Sequence, residues 1–148
     1  MPICNCKEKT EILIVDDNSF NVVTLQTLLK FQFKLKADSA VNGLDAVNMV
    51  KQRYTEQCRC NNQNYKLIFM DCNMPIMDGP TATVLIKKMT SEFNIQYQET
   101  KNIYVAALTA YQTDSFRIKC AKSGMDNFLA KPLNLKLIQQ ILVDLNIC

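Results

Sequence analysis

Polar residues with chemically useful side chains stand at the ends of four short apolar segments of this 148-residue chain. They comprise three carboxylates, one hydroxyl and one ammonium group: Asp16, Asp17, Asp71, Thr109 and Lys131. The apolar segments are continuous rather than alternating, which is typical of parallel strands buried on both faces. Because the carboxyl ends of parallel strands meet at one edge of a sheet, we expect these side chains to converge there.

The predicted cluster combines negative, positive and hydroxyl groups in one place. Its three carboxylates would repel one another and retain protons unless a cation neutralised their charge. Oxygen ligands in small number suit Mg²⁺, which keeps several waters and shares an oxygen of a phosphate group. Lys131 would add a positive charge and Thr109 a hydroxyl donor, both of which stabilise a phosphoryl group. The pattern therefore predicts a Mg²⁺-dependent phosphoryl-transfer site.

Each of these residues also has an ordinary structural explanation when it is taken alone. A single Asp after a strand commonly caps a helix, as Asp16 or Asp17 would. Thr109 would cap the next helix, and Lys131 would be a solvated surface residue. Their shared position at one sheet edge is what favours the chemical interpretation.

The composition excludes several classes of function. The chain contains no His, which excludes Ser-His-Asp and Cys-His catalysis and His-ligated zinc. Its net charge of +3 is too small to indicate nucleic-acid binding. There is no apolar run long enough for a membrane segment, and the amino terminus does not resemble a signal peptide. The odd number of Cys, seven, then favours reduced thiols and a cytoplasmic location.

The apolar periodicity predicts strands that alternate with helices. This alternation favours an α/β fold, a doubly wound five-stranded parallel sheet with helices on both faces. Predicted strands cover residues 11–15, 35–40, 66–70, 103–108 and 126–130, and predicted helices cover 19–33, 44–50, 80–89, 113–122 and 135–145. The polar segments 54–64 and 92–101 are predicted loops, the first of them an insertion. We assign residues 1–10 to an amino-terminal extension and residues 11–148 to one domain.

Four motifs stand at the predicted strand ends. They are Val15-Asp16-Asp17-Asn18, Met70-Asp71-Cys72-Asn73-Met74-Pro75-Ile76-Met77-Asp78-Gly79, Leu108-Thr109-Ala110 and Lys131-Pro132. In content and order they resemble the receiver domain of two-component response regulators, most of all the receivers of hybrid histidine kinases. The resemblance covers residues 11–146. It implies a flavodoxin-like strand order of 2-1-3-4-5 and a cis peptide bond before Pro132.

The resemblance also implies a role for each motif residue. Asp71 is similar to the family's phosphoacceptor, Asp17 and Asp71 to its direct Mg²⁺ ligands, and Asp16 to a ligand that acts through water. The backbone carbonyl of Asn73 is the expected third protein ligand. For Phe128, an aromatic residue in a strand, packing in the core is a more common role than movement in a switch. The residues similar to those that contact the phosphoryl group or move with it are Thr109, Ala110, Phe128 and Lys131.

The implied function is that of a phosphorelay receiver that switches conformation or passes the phosphoryl group on. A histidine kinase or histidine phosphotransfer protein would supply a phosphohistidine, because this chain has no His. We expect this partner to dock on Phe20, Pro132 and Leu133, near Asp71, although Phe20 could instead fold back as a hydrophobic staple. The chain would be either the cytosolic part of a larger, membrane-bound kinase or a single-domain shuttle.

Three other functions would use part of the same pattern. An aspartyl phosphatase or phosphotransferase also uses a strand-end Asp and Mg²⁺, but it typically has a second Asp where this chain has Asn73. A flavin or nucleotide binder of this fold would need a glycine-rich loop after the first strand, which Asp16-Asp17-Asn18-Ser19 is not. A receiver that serves only as a scaffold would have lost a motif residue, and none is lost.

Two Cys-x-Cys pairs have no place in the phosphoryl-transfer chemistry. Cys4-x-Cys6 and Cys58-x-Cys60 precede the first and third strands, which the expected order makes neighbours. They could therefore meet at the amino-terminal edge of the sheet as a zinc site or a disulfide. The more ordinary interpretation is four free loop thiols, because Cys-x-Cys is a poor match for zinc spacing.

Overall fold

The computed structural model describes residues 9–56, 64–110 and 113–147, and within these ranges five strands alternate with five helices. The strands are β1 (Ile12–Val15), β2 (Asp38–Ala40), β3 (Leu67–Asp71), β4 (Tyr104–Thr109) and β5 (Asn127–Ala130). The helices are α1 (Ser19–Phe33), α2 (Gly43–Thr55), α3 (Gly79–Tyr97), α4 (Asp114–Lys122) and α5 (Leu135–Asp144). No described helix combines the length and the apolar content that a membrane span requires.

The strands form one parallel sheet in the order β2-β1-β3-β4-β5, which confirms the predicted flavodoxin-like fold. Val15 of β1 lies opposite Met70 of β3, so the residues that follow them emerge side by side. Thr109 of β4 lies opposite Ala130 of β5, the residue before Lys131. The register thus places all four motifs at the carboxyl edge of the sheet.

Each face of the sheet is covered by its own apolar cluster. The odd-numbered strand residues Leu13 and Val15 pack under α2, α3 and α4, where Val50, Ile86 and Cys120 are among the buried residues. Ile12 and Ile14 face the other way, against α1 and α5; buried side chains of that cluster include Val22, Leu25, Leu29, Ile138 and Leu142. Helices on both faces explain why the strands are continuously apolar.

Helix α3 is longer than the sequence predicts. Residues 92–97, assigned to a loop, continue the helix as far as Tyr97, so that assignment was wrong. Phe93 stacks on Tyr54 of α2 with ring centroids 4.7 Å apart, and Tyr97 lies 4.7 Å from Phe93. These contacts give the polar-looking segment one packed face, which stabilises the extra turns. The side chain of Asn94 then bonds the backbone of Lys101 and closes the loop to β4.

Helix α2 also extends past its predicted end: Tyr54 and Thr55 are helical, so their assignment to the insertion loop was wrong. Arg53 stabilises this end of the helix, because its guanidinium donates to the Thr10 carbonyl at 2.6 Å and to Asp38 Oδ2 at 3.0 Å. Strand β2 covers residues 38–40 rather than 35–40. Residues 57–63 and both Cys-x-Cys pairs lie outside the described residues, so the insertion and the zinc or disulfide site stay predictions.

Candidate functional site

Asp16, Asp17 and Asp71 lie together at the carboxyl edge of the sheet. Each offers one carboxylate oxygen, and these oxygens lie within 4.8 Å of one another. Asp16 is 2% exposed, Asp71 is half-buried and Asp17 is exposed, so the cluster opens to solvent on the side of Asp17. An all-oxygen set of this kind could hold a hard divalent cation.

The loop after β1 holds Asp16 in place. Its Oδ1 accepts the backbone N–H of Asn18 at 2.9 Å, and its Oδ2 accepts from the side-chain amide of Asn21 at 3.2 Å. Asn18 in turn caps α1 by accepting the backbone N–H of Phe20 at 2.9 Å. Asn21 was not among the predicted site residues. Its position in the first turn of α1, five residues after Asp16, was the signal that could have identified it.

Lys131 brings a positive charge to the cluster. Its Nζ lies 3.6 Å from Asp16 Oδ2 and 3.9 Å from Asp71 Oδ1. The Lys131 backbone N–H donates to the Thr109 carbonyl at 3.0 Å, and the peptide bond to Pro132 is cis, as predicted. This single charge offsets only part of the charge of the carboxylates, so the site stays negative overall.

The carboxyl group of Asp71 binds its proton more tightly than a solvated Asp does. Burial raises the pKa of Asp71 to about 6, and repulsion from the Asp16 carboxylate adds to the rise. Lys131 lowers this pKa, and so does the Cys72 backbone N–H, which donates to Asp71 Oδ1 at 2.8 Å. A cation bound among the carboxylates would relieve the repulsion and favour the ionised form.

Two glycines allow the loop after β3 to pack against its neighbours. A β-carbon at Gly79 would lie 2.3 Å from the Asp71 carbonyl oxygen, and the Gly79 N–H donates to the Cys72 carbonyl at 3.1 Å. Gly43 approaches the same loop, because its N–H donates to the Met77 carbonyl at 3.0 Å. Neither glycine was predicted as a site residue. Asn73 lies exposed in this loop, two residues after Asp71.

The residues predicted to contact the phosphoryl group or to move with it lie in β4 and β5 or directly after these strands. Thr109 ends β4 and is 4% exposed, and Ala110 follows it on the surface. Phe128 is half-buried and packs against the cluster beneath α2, α3 and α4. The Arg117 guanidinium of α4 lies 5.5 Å from the centroid of the Phe128 ring. Phe128 is therefore neither a fully buried core residue nor a free surface residue.

The predicted docking residues differ in exposure. Phe20 is 75% exposed at the start of α1, so it does not pack as a hydrophobic staple. Pro132 is also exposed. Leu133 is half-buried and packs against the cluster beneath α1 and α5, so only part of it is available to a partner.

A known protein family matches most of the chain. The response regulator receiver domain matches residues 12–143. The chain belongs to this family. It is 38% identical over 145 residues to hybrid signal transduction histidine kinase B of Dictyostelium discoideum, a match that covers 94% of this chain and 7% of the kinase. The receiver thus spans a small fraction of the length of this relative, and it is a phosphorelay receiver domain like those of hybrid histidine kinases.

Two solved structures show the same fold. The receiver domain of the histidine kinase CKI1 from Arabidopsis thaliana, complexed with Mg²⁺ and BeF₃⁻, is 26% identical with a TM-score of 0.75; the match covers 91% of this receiver and 88% of that chain. A second match, with 28% identity and a TM-score of 0.73, covers 92% of this receiver and 88% of its counterpart. It comes from the Saccharomyces cerevisiae complex of the histidine phosphotransfer protein Ypd1 with the receiver domain of Ssk1.

Proposed function

We propose that this receiver accepts a phosphoryl group on Asp71 from a partner's phosphohistidine in a Mg²⁺-dependent reaction. The observation that carries the proposal is the meeting of Asp71 with two further carboxylates and the Lys131 ammonium at one sheet edge. Asp71 ends β3, the central strand of the sheet, and is half-buried. Its carboxylate is thus held by the fold and still open to a phosphoryl donor.

The available ligands suit Mg²⁺. Asp16, Asp17 and Asp71 offer oxygen atoms, which favour a hard cation over a soft metal. We infer that Asp17 and Asp71 bind the ion directly and Asp16 through a water molecule, with the Asn73 carbonyl as a further ligand. When bound, Mg²⁺ would neutralise the carboxylates and offset negative charge on the phosphoryl oxygens. The Mg²⁺ complex of the Arabidopsis receiver supports this choice of cation.

Asp71 acts as the nucleophile in this proposal. A carboxylate oxygen of Asp71 attacks phosphorus, an O–P bond forms, and the P–N bond of the phosphohistidine breaks. The imidazole leaves with the electron pair of that bond and takes a proton from solvent. Lys131, 3.9 Å from the Asp71 carboxylate, offsets the charge on the phosphoryl oxygens. With a pKa of about 6, Asp71 is mostly ionised at neutral pH and ready to attack.

The negative charge of a phosphoryl group on Asp71 would drive the conformational switch. A phosphoryl group on Asp71 would attract the Thr109 hydroxyl inward, and Ala110 would move with it. Phe128 lies half-buried in the adjacent strand and would move into the space that Thr109 leaves. A tenfold shift between the two states requires only about 1.4 kcal/mol of differential contact energy.

The test of the phosphoacceptor is labelling by acetyl phosphate. Mg²⁺ and acetyl phosphate should add one phosphoryl group to the wild-type receiver in intact-mass spectra, and chelation of Mg²⁺ should prevent it. Asp71→Asn should abolish the label, whereas Asp144→Asn, a charge-matched change at an exposed position, should retain it. Stoichiometric labelling of Asp71→Asn would refute the assignment.

We further propose that the partner is a histidine kinase or a histidine phosphotransfer protein that docks around Phe20 and Pro132. Phe20 is exposed in the first turn of α1, next to the loop that holds Asp16. The Ypd1 complex of the yeast receiver supports a phosphotransfer partner. Leu133 would contribute the exposed part of its side chain.

Phe20→Ala tests the docking surface. Phosphotransfer from a protein phosphohistidine should slow about tenfold, because a few apolar anchors usually carry most of the binding energy. Labelling by acetyl phosphate, which needs no docking surface, should not change. Phe31→Ala is the matched control, since Phe31 is 73% exposed but lies at the far end of α1. Equal slowing with both donors would refute the docking role.

The small share of the matched kinase that the receiver covers suggests a longer protein. We propose that this receiver is the cytosolic module of a hybrid histidine kinase, as in the Dictyostelium relative. The sequence of the complete transcript tests this directly, because it should encode a histidine kinase core. A transcript that encodes the receiver alone would instead indicate a single-domain shuttle.

A further inference from the structure

Two buried cysteines face each other beside the candidate site. The Sγ atoms of Cys72 and Cys120 lie 3.8 Å apart, and the two residues are 2% and 0% exposed. Both are free thiols. Cys72 follows Asp71 directly, and Cys120 lies in the last turns of α4. The thiol pair therefore connects the end of β3 with a helix that follows β4.

Cys120 is the anchor of α4. It is the buried residue among the described residues of this helix, and Phe116 is half-buried. Thr113, the N-cap residue of α4, makes no side-chain capping hydrogen bond. A helix held mainly at one point opens more readily than one with a full buried face. Cys120 makes the most buried contact of α4, and Phe116 and the contact of Arg117 with Phe128 add to it.

Cys72, in contrast, is tied firmly to the site. Its backbone N–H donates to Asp71 Oδ1 at 2.8 Å, and its carbonyl accepts the Gly79 N–H at 3.1 Å. A displacement of the Cys72 side chain would therefore pull on the amide that orients the Asp71 carboxylate. This linkage connects the chemistry of the thiols with the geometry of the phosphoacceptor.

We propose that Cys72 and Cys120 are a redox modification site, at which hydrogen peroxide forms a reversible disulfide that locks α4 against the end of β3. The sulfur atoms must approach from 3.8 Å to the disulfide bond length of about 2 Å. That movement is small for a helix with one fully buried residue. Most other residues of α4 are exposed, so the contacts that must adjust are those of Phe116 with the core cluster, of Arg117 with the Phe128 ring and of Lys119 with Asp78.

Burial controls when the pair reacts. While α4 is seated, both cysteines are buried, so neither sulfur is open to dissolved peroxide. Peroxide reaches the pair when α4 lifts from the sheet. Oxidation of this pair should therefore be slower than oxidation of an exposed thiol.

The reaction balances with peroxide as the oxidant. One sulfur, after loss of its proton, attacks a peroxide oxygen; the O–O bond breaks, and a sulfenic acid and one water form. The second sulfur attacks the sulfenic sulfur, so that an S–S bond forms and the S–O bond breaks. The hydroxide that leaves takes the second thiol proton and forms another water. The two sulfurs lose two electrons in total, and peroxide gains them.

The effect on phosphorylation rests on the proposed function, whereas formation of the disulfide does not. Pulling on Cys72 shifts the amide that holds Asp71, and a displacement of about 1 Å at a reacting group can slow a reaction about a hundredfold. We expect the oxidised receiver to be labelled by acetyl phosphate about tenfold more slowly. A dithiol reductant should restore the rate.

The test uses the full chain with every other cysteine replaced by Ser: Cys4, Cys6, Cys58, Cys60 and Cys148. The protein is exposed to peroxide, unfolded and alkylated, and its intact mass is measured. We expect two alkyl groups before peroxide, none after it, and two again after reduction. Peptide mapping without reductant should recover the Cys72–Cys120 cross-link.

Cys120→Ala in the same background is the matched control. It keeps every methionine that peroxide could oxidise but cannot form the internal disulfide, so its labelling rate should not show the reversible loss. Thermal unfolding of both proteins confirms that each is folded.

Two results would overturn the proposal. If both thiols are still alkylated after prolonged exposure to excess peroxide, long after an exposed reference thiol is fully oxidised, the disulfide does not form. If the cross-link forms and labelling slows no more than in Cys120→Ala, the disulfide does not regulate the site. Failure of the reduced protein to accept any label would count against the proposed function, and the mass measurement would still decide whether the disulfide forms.

Discussion

Replacement of Asp71 by Asn should stabilise the metal-free receiver. The Asp71 carboxylate is half-buried and repelled by Asp16, and these effects raise its pKa to about 6. An ionised Asp71 therefore costs folding free energy at neutral pH. Asn has nearly the same size, can still accept the hydrogen bond from the Cys72 N–H and carries no charge. The substitution should thus remove the cost and leave the local packing intact.

The size of this effect follows from the pKa shift. The rise of the Asp71 pKa from 3.8 to about 6 means that ionised Asp71 lowers the unfolding free energy by at most about 3 kcal/mol. Water at the open side of the site screens the charges, which reduces the expected gain in unfolding free energy to about 1–2 kcal/mol. Urea unfolding curves of both proteins, recorded with a chelator at neutral pH, resolve a difference of this size.

The gain should depend on pH in a defined direction. Between pH 3.8 and about 6 the folded protein binds more protons at Asp71 than the unfolded chain does. The contribution of Asp71 to stability is therefore fully present below pH 3.8 and is lost as the pH rises through 6. The advantage of Asp71→Asn should consequently be largest at pH 7 and fall toward zero near pH 4.

Asp144→Asn is the control, because it removes the same charge from an exposed residue of α5. It should change the unfolding free energy little. Mg²⁺ should stabilise the wild type more than Asp71→Asn, since binding to the folded state adds to stability. If Asp71→Asn is no more stable than the wild type at pH 7, or if its advantage persists unchanged at pH 4, the reasoning fails.

Four further variants test a metal ligand, the lysine beside the phosphoacceptor and the packing of two helix ends. Asp17→Ala should weaken Mg²⁺ binding at least about tenfold in a titration, whereas Lys131→Ala should leave it largely intact but slow acetyl phosphate labelling. Arg53→Ala should lower the unfolding free energy by about 1–2 kcal/mol in urea, because it removes the hydrogen bonds of the guanidinium to Thr10 and Asp38, while Tyr65 still donates to Asp38. Phe93→Ala should speed amide hydrogen exchange in the last turns of α3, and unchanged exchange would contradict the stacking argument.

The fold and the meeting of the site residues could be predicted because both depend on local patterns. A strand buried on both faces must be continuously apolar. The strand Leu67–Asp71 is apolar up to Asp71, so the sequence shows where the strand ends. The parallel topology then brings the polar residues after β1, β3, β4 and β5 to one edge. Asp16, Asp71 and Lys131 were found in this way without any knowledge of distances.

The end of α3 could not be predicted, because its stability comes from a distant element. Phe93 is one aromatic residue among polar neighbours until the fold brings Tyr54 of α2 against it. The roles of Gly43 and Gly79 were hidden for the same reason. A glycine is required there only because a carbonyl oxygen of another segment lies where a β-carbon would be.

The sequence by itself determined which residues carry charge, which segments become strands, and therefore which side chains meet at the sheet edge. These properties follow from side-chain chemistry and from the period of apolar residues along the chain. Only the tertiary structure decided the raised pKa of Asp71, the exposure of Phe20 and the contact between Cys72 and Cys120. Burial and the distance between residues far apart in sequence arise from packing, which no single segment encodes.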